Sequence, residues 1–183
     1  FVDFFRRQVD RAIEHQKMFT RQDKVLVAIS GGKDSLALWE VLSGLGYDTV
    51  GLHIDLGIGD YSRASTEKTE AFAKEIDSRI VRAGQVGANT QFFYQLESET
   101  GVKLKDLRPA AVVPPAKGAK SPFVPVGFMV SADGSYVQLL EFLRRIESGP
   151  RYARIVSASL SGSLADRRSP LTLSLSVELL GLP

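Results

Sequence analysis

Apolar and polar positions along the chain follow two textures, and the change comes near residue 76. Val2, Phe5, Val9, Ala12 and Ile13 share one helical stripe, with Arg6, Arg7, Asp10 and Glu14 mostly off it. This predicts an amphipathic helix from Phe1 to about Met18. After the turn Thr20-Arg21-Gln22-Asp23, the unbroken run Val25-Leu26-Val27-Ala28-Ile29 predicts a strand, Lys24–Ile29, buried on both faces. The run breaks at Ser30-Gly31-Gly32-Lys33-Asp34-Ser35 and passes into a helix reaching about Leu45, with Gly46 as its stop. Asp48–Asp55, carrying Val50, Leu52 and Ile54, predicts a second strand. Strand, helix and strand together make a right-handed βαβ unit with a parallel pair. A polar loop, Gly57–Arg63, follows, and Ser65 or Thr66 is positioned to cap the next helix, with Glu67 and Glu70 in its early turns.

Beyond Ile76 the pattern predicts helix over Asp77–Thr100, interrupted by Gly84 and Gly87, with Phe92, Phe93 and Leu96 on one face and Gly101 as the stop. Val102–Leu107 alternates as a strand, Pro109–Pro122 reads as an extended loop, and Phe123–Ser131 reads as a second strand. The turn Ala132-Asp133-Gly134 leads to Ser135 as N-cap of a helix striped by Tyr136, Leu139, Leu140, Leu143 and Ile146. Arg154–Leu164 and Leu171–Leu180 alternate strictly and are joined by a hairpin over 165–170. The fold class is therefore a truncated parallel α/β unit followed by an α+β domain built as α-β-β twice, with the division at 1–75 and 76–183. Parallel sheets need cover on both faces, so two strands leave the first unit's sheet unfinished.

Charge supports the same division. The 183 residues carry a net charge of only +2, which gives no general case for nucleic acid or membrane attraction. The first 75 residues are net negative and the remainder net positive, and both histidines and the one Trp lie in the first part. The absence of cysteine excludes disulfides, thiolate zinc sites, iron–sulfur clusters and Cys nucleophiles. The apolar runs are too short to cross a bilayer, so no transmembrane segment is expected.

One stretch carries recognisable chemistry. A strand that breaks at small residues and enters a helix leaves unpaired N–H groups at the helix start, aligned with its dipole. Gly31 and Gly32 let backbone approach an anion, and Ser30 and Ser35 add hydroxyls. A dinucleotide fingerprint fails because Ser62 stands where a third glycine belongs, and a Walker loop fails because Val27 occupies its first glycine position. His53 and Asp55, at the end of the second strand, lie where ligands bind in parallel sheets. Asp55 and Asp60 are candidate metal ligands, or ordinary loop-start carboxylates. Lys117 and Lys120 offer at most a weak phosphate contact.

Ser30-Gly31-Gly32-Lys33-Asp34-Ser35, with Gly51-Leu52-His53-Ile54-Asp55 and Gly57-Ile58-Gly59-Asp60-Tyr61-Ser62, resembles the PP-loop family of N-type ATP pyrophosphatases, tRNA-thiolation type, over residues 1–75. The resemblance implies ATP as ligand, tRNA as a family partner and a cytoplasmic setting. It also implies adenylation of a substrate oxygen with release of pyrophosphate. It assigns the β- and γ-phosphates to Ser30, Gly31, Gly32 and Ser35, charge to Lys33, Mg²⁺ to Asp34, and the neighbourhood of adenosine to His53 and Asp55. The cysteines that hold zinc and an iron–sulfur cluster in those enzymes are absent here, as are the later active-site elements.

Residues 77–183 resemble PilO-type proteins of the type IV pilus inner-membrane platform. The resemblance rests on Phe92-Phe93-Tyr94-Gln95-Leu96-Glu97, Thr100-Gly101-Val102-Lys103-Leu104, the run from Gly134 to Leu143, and Gly149-Pro150-Arg151-Tyr152. It implies a ferredoxin-like fold, homo- or hetero-dimerisation through this domain, and the periplasmic face of the inner membrane. Three readings follow: a chimera joined near Lys74–Asp77, an ATP-dependent adenylating enzyme with a divergent second half, and a protein–protein interaction module with a vestigial nucleotide fold. The first accounts for both resemblances, the charge shift and the unfinished sheet.

Overall fold

The computed structural model describes residues 2–111, 122–162 and 170–183, and the described chain divides into two compact units. The first contains α1 (Val2–Gln16), β1 (Lys24–Ile29), α2 (Lys33–Gly44), β2 (Asp48–His53) and α3 (Gly59–Arg79). β1 and β2 pair in parallel from Lys24↔Asp48 to Ile29↔His53. α2 ends as its sequence predicts. Gly46 takes a left-handed φ of +80°, its N–H donates to the Ser43 carbonyl, and the Tyr47 N–H donates to the Leu42 carbonyl. Tyr47 then anchors α1 through its hydroxyl, which donates to Asp10 at 2.9 Å, while Arg21 pairs with Asp10 and lies 4.6 Å over the Tyr47 ring. Burial, then the hydrogen bond to Asp10, push the Tyr47 phenol up to about 12.

The sheet is covered on one face. Trp39 of α2 lies against Gly51, where a β-carbon would meet its ring at 2.7 Å, and Val27 and Ile29 are buried on the same side. The alternation of side chains puts Leu26, Val50 and Leu52 on the other face, where they are 63%, 42% and 45% exposed. The expectation of a strand buried on both sides is therefore corrected. β2 also stops at His53, two residues early, because β1 offers no partner beyond Ile29. α3 starts at Gly59, inside the expected loop, so Ser65 and Thr66 lie within the helix and do not cap it.

The second unit contains β3 (Val81–Arg82), α4 (Val86–Thr100), β4 (Lys103–Ala110), β5 (Val124–Gly134), α5 (Tyr136–Ser148), β6 (Ala153–Ser161) and β7 (Leu171–Leu182). The helix expected over 77–100 is divided, since α3 ends at Arg79 and Val81–Arg82 pair in parallel with Gly181–Leu182 before α4 begins. β7 is central. β5 runs antiparallel along one side, β6 and then β3 occupy the other, and β4 pairs with β5 at the far edge. The turn expected at Ala132–Gly134 is strand instead, because β7 pairs with β5 as far as Gly134↔Leu171. Pro109 falls in β4, an edge strand where its missing N–H is tolerated, and residues 112–121 and 163–169 of the expected loop and hairpin lie outside the described residues.

Helices α4 and α5 pack on the apolar side of this sheet. Phe93, Phe128, Phe142, Ile146, Leu175, Val177 and Leu179 are the most deeply buried side chains, and Phe93 stands 5.1 Å from both the Phe92 and Phe128 rings. Ser135 caps α5 as expected. The Gln138 N–H donates to its hydroxyl and the Ser135 N–H donates to the Gln138 side chain, forming a capping box. The remaining Gln138 amide donates to the carbonyl of Gly101, whose φ of +70° ends α4.

Glu141 accepts from Arg144 at 2.7 Å and from Arg145 at 2.9 Å, and Arg145 also reaches Glu99 of α4 at 2.6 Å. These guanidinium hydrogen bonds lower the Glu141 carboxyl to about 2, from an ordinary value of 4.5. Because the folded value is the lower one, the stabilisation is complete above about 4.5 and is lost as pH falls toward 2. Thermal melts of the protein and of Glu141→Gln between pH 6 and 2 should converge as the medium is acidified, and added salt should shrink the difference. A constant gap across that range would mean that the cluster does not stabilise the fold through its charge.

Candidate nucleotide-phosphate site

The segment Ser30–Ser35 forms one tight turn between β1 and α2. Gly31 adopts φ +78°, and Gly32 is the N-cap of α2 with no side chain capping the helix start. The first-turn N–H groups of α2 are thus left without side-chain acceptors at the positive end of the helix dipole. The loop shapes itself internally. The Ser30 N–H donates to the Ser35 hydroxyl at 3.2 Å, that hydroxyl donates to the Gly32 carbonyl at 3.0 Å, and the Gly32 N–H donates to the Ser30 hydroxyl at 3.3 Å. Ser35 is therefore an organiser of the turn. Lys33 and Asp34 are exposed at its rim.

α3 forms the wall behind the turn. The Ser65 hydroxyl donates to the Ser30 carbonyl at 2.8 Å, and a β-carbon on Gly31 would stand 2.0 Å from that hydroxyl. Only glycine fits there. The His53 Nδ1–H donates to the Ile29 carbonyl at 2.8 Å, so Nε2 is the acceptor for the Thr66 hydroxyl at 3.1 Å. Both ring nitrogens are occupied in holding β1, β2 and α3 together. Asp55 lies in the loop after β2, accepting the Gly57 N–H at 2.8 Å, and this bond, followed by one from Ser62, holds its carboxyl below the usual range. Asp55, Gly57, Gly59, Ser62, Arg63, Thr66, Glu67 and Glu70 line a shallow cavity of about 380 Å³.

The eight residues that the resemblance assigns to the nucleotide lie at or beside the carboxyl ends of the two parallel strands: Ser30 to Ser35 in the turn, His53 at the end of β2, and Asp55 just after it, while Lys117 and Lys120 lie outside the described residues. The expected loop residues missed the hydroxyl face of α3, where Ser62, Ser65 and Thr69 are buried and Thr66 meets His53. The signal was present as hydroxyl residues at helical spacing, a pattern hidden when only apolar stripes are sought. Among the described residues no group of three or more His, Asp or Glu side chains is arranged to hold a metal. Asp60 pairs with Arg63 at 3.7 Å. Magnesium would fit here only as a partner of Asp34 and phosphate oxygens together, which is how that ion is commonly held.

Part of this chain is closely similar to tRNA 2-thiolation enzymes. Over 75 residues, 41% of the chain, it is 59% identical to the tRNA-5-methyluridine(54) 2-sulfurtransferase of Thermus thermophilus and 48% identical to that of Pyrococcus horikoshii. The chain spans only 23% of the length of these sulfurtransferases. No family model matches the chain. The type 4 fimbrial biogenesis protein PilO of Pseudomonas aeruginosa is a structural neighbour over 68% of this chain and 87% of its own, at 16% identity and a TM-score of 0.48. No described helix is long and apolar enough to cross a membrane.

Proposed function

We propose that the first unit is a phosphate cradle for Mg-ATP, derived from a tRNA-thiolating ATP pyrophosphatase, and that it is joined to a PilO-like interaction domain. The observation that carries the nucleotide half is the packing of Gly31 on Ser65 beside an uncapped helix start. The phosphates would receive backbone donors from Gly31 to Ser35, Lys33 would add charge, and Asp34 would hold Mg²⁺ with them. His53 would act through position, fixing the strand ends that face the adenosine. The interaction half rests on the motifs in residues 77–183. Transfer of sulfur is not part of this reading, because the chain contains no cysteine.

Calorimetric titration of the whole protein with Mg-ATP tests the cradle. Binding is expected, with a loss of at least about tenfold in Asp34→Ala and in Ser35→Ala, corresponding to about 1.4 kcal/mol. Well-folded protein that takes up no nucleotide would refute the cradle. The identity to the sulfurtransferases favours a second reading, an adenylating enzyme, and pyrophosphate release in the same titration would establish it in place of simple binding.

A further inference from the structure

The hydroxyls of Ser30 and Ser35 lie 3.2 Å apart, and their other partners fix which of them donates. A serine hydroxyl has one proton and two lone pairs. The Ser35 proton goes to the Gly32 carbonyl at 3.0 Å. The proton between the two hydroxyls must therefore come from Ser30. The Ser30 oxygen in turn accepts the Gly32 N–H at 3.3 Å. Donation runs from the Gly32 N–H through Ser30 and Ser35 and back to the Gly32 carbonyl. It is a closed ring.

The ring decides what the free turn can offer an anion. Ser35 accepts from the Ser30 N–H as well as from the Ser30 hydroxyl, so both its lone pairs and its proton are spent. Ser30 has spent its proton and keeps one lone pair, which repels a phosphate oxygen. The Gly32 N–H, at the N-cap of α2, is held by the Ser30 oxygen instead of facing a ligand. Only the Ser30 side chain is free to change this. Its backbone is pinned on both sides, the carbonyl by the Ser65 hydroxyl at 2.8 Å and the N–H by Ser35 at 3.2 Å. Ser30 and Gly32 are both exposed, so the hydroxyl can swing aside without disturbing the core.

We infer that the Ser30 hydroxyl is a built-in occupant of the phosphate site, holding in the free protein the Gly32 N–H that a phosphate oxygen takes on binding. This deepens the nucleotide-cradle reading and rests on it. The family resemblance makes Ser30 a donor to phosphate, whereas the ring makes it a competitor. Opening the ring costs the protein a hydrogen bond before any ligand contact is made, so the cost is the same for every anion that enters.

Calorimetric titration of the wild type and of Ser30→Ala, with Mg-ATP and with inorganic tripolyphosphate in magnesium, tests the assignment. Ser30→Ala should bind both ligands more tightly, by the same factor of roughly two to ten, the worth of a neutral intramolecular hydrogen bond. A damaged turn cannot produce a gain. In the ligand-free protein, amide exchange at Gly32 should be faster in Ser30→Ala than in the wild type. The thermal melt followed by Trp39 fluorescence should be the same in both. Weaker or equal Mg-ATP binding in Ser30→Ala, beside intact binding in the wild type, overturns the assignment and leaves the cradle standing. A gain seen with one ligand and not the other overturns it too, since the effect would then lie in contacts with the ligand. Unchanged exchange at Gly32 would show that the ring does not hold that N–H, with the same consequence. If neither protein binds either ligand, the cradle is refuted and the role of Ser30 falls with it.

Discussion

Gly31→Ala is expected to weaken Mg-ATP binding by at least about tenfold and to destabilise the first unit. Two costs combine at that position. A left-handed conformation such as the φ of +78° costs a residue with a β-carbon about 1–2 kcal/mol. The added carbon would also stand 2.0 Å from the Ser65 hydroxyl and 3.0 Å from its β-carbon, so the turn must move off α3. That movement breaks the bond from Ser65 to the Ser30 carbonyl and carries the backbone donors away from the phosphates. Loss of even one hydrogen bond to a charged group, worth about 1.5–3 kcal/mol, weakens binding by roughly ten- to hundredfold. Ser65→Gly in the same chain removes the hydroxyl and should recover part of the loss, whereas Ser65→Gly alone should cost less than Gly31→Ala. Calorimetric titration of the three variants measures the series. Wild-type affinity in Gly31→Ala would remove the backbone cradle from consideration.

Phe142→Ala should destabilise the second unit by about 3–5 kcal/mol, the usual cost of truncating a buried phenylalanine. Phe142 is fully buried in a core cluster that includes Phe93, Phe128, Ile146 and Val177, and every member of that cluster belongs to the second unit. The one tryptophan, Trp39, lies in the first unit, packed on Gly51. Its fluorescence therefore reports the first unit, while far-UV circular dichroism reports both. In urea, Phe142→Ala should move the dichroism transition to lower denaturant and leave the Trp39 transition in place. If both transitions move together, the units unfold as one and the division behind the chimera reading is wrong.

How far the sequence could be read varies with how local the determining interaction is. The loop at Ser30–Ser35 and the caps at Gly46, Gly101 and Ser135 were legible because their geometry is set by residues within a few positions of one another. β3 was not, because Val81–Arg82 is strand only through its pairing with Gly181–Leu182, about a hundred residues away. Ala132–Gly134 carries turn residues, yet the long ladder with β7 holds it extended. The start of α3 was missed because its buried face is made of Ser62, Ser65 and Thr69, which read as loop. The run Val25–Ile29 misled in a more informative way. Five apolar residues in succession suit a strand covered on both faces, while this sheet is covered on one and leaves Leu26 open. That mismatch is what a segment taken from a larger parallel sheet would show.

β7 follows, in sequence, every strand that it pairs with. β3 and β6 depend on it for their backbone partners and β5 for one of its two, so of this sheet a chain emerging from the ribosome can pair only β4 with β5 until residues 171–182 are free. Until then Phe128 and Val130 on β5 lack the strand that completes their layer, and the edge of β5 is open to other chains. The sheet is therefore completed only by its last strand, and its assembly depends on contacts between residues far apart along the chain.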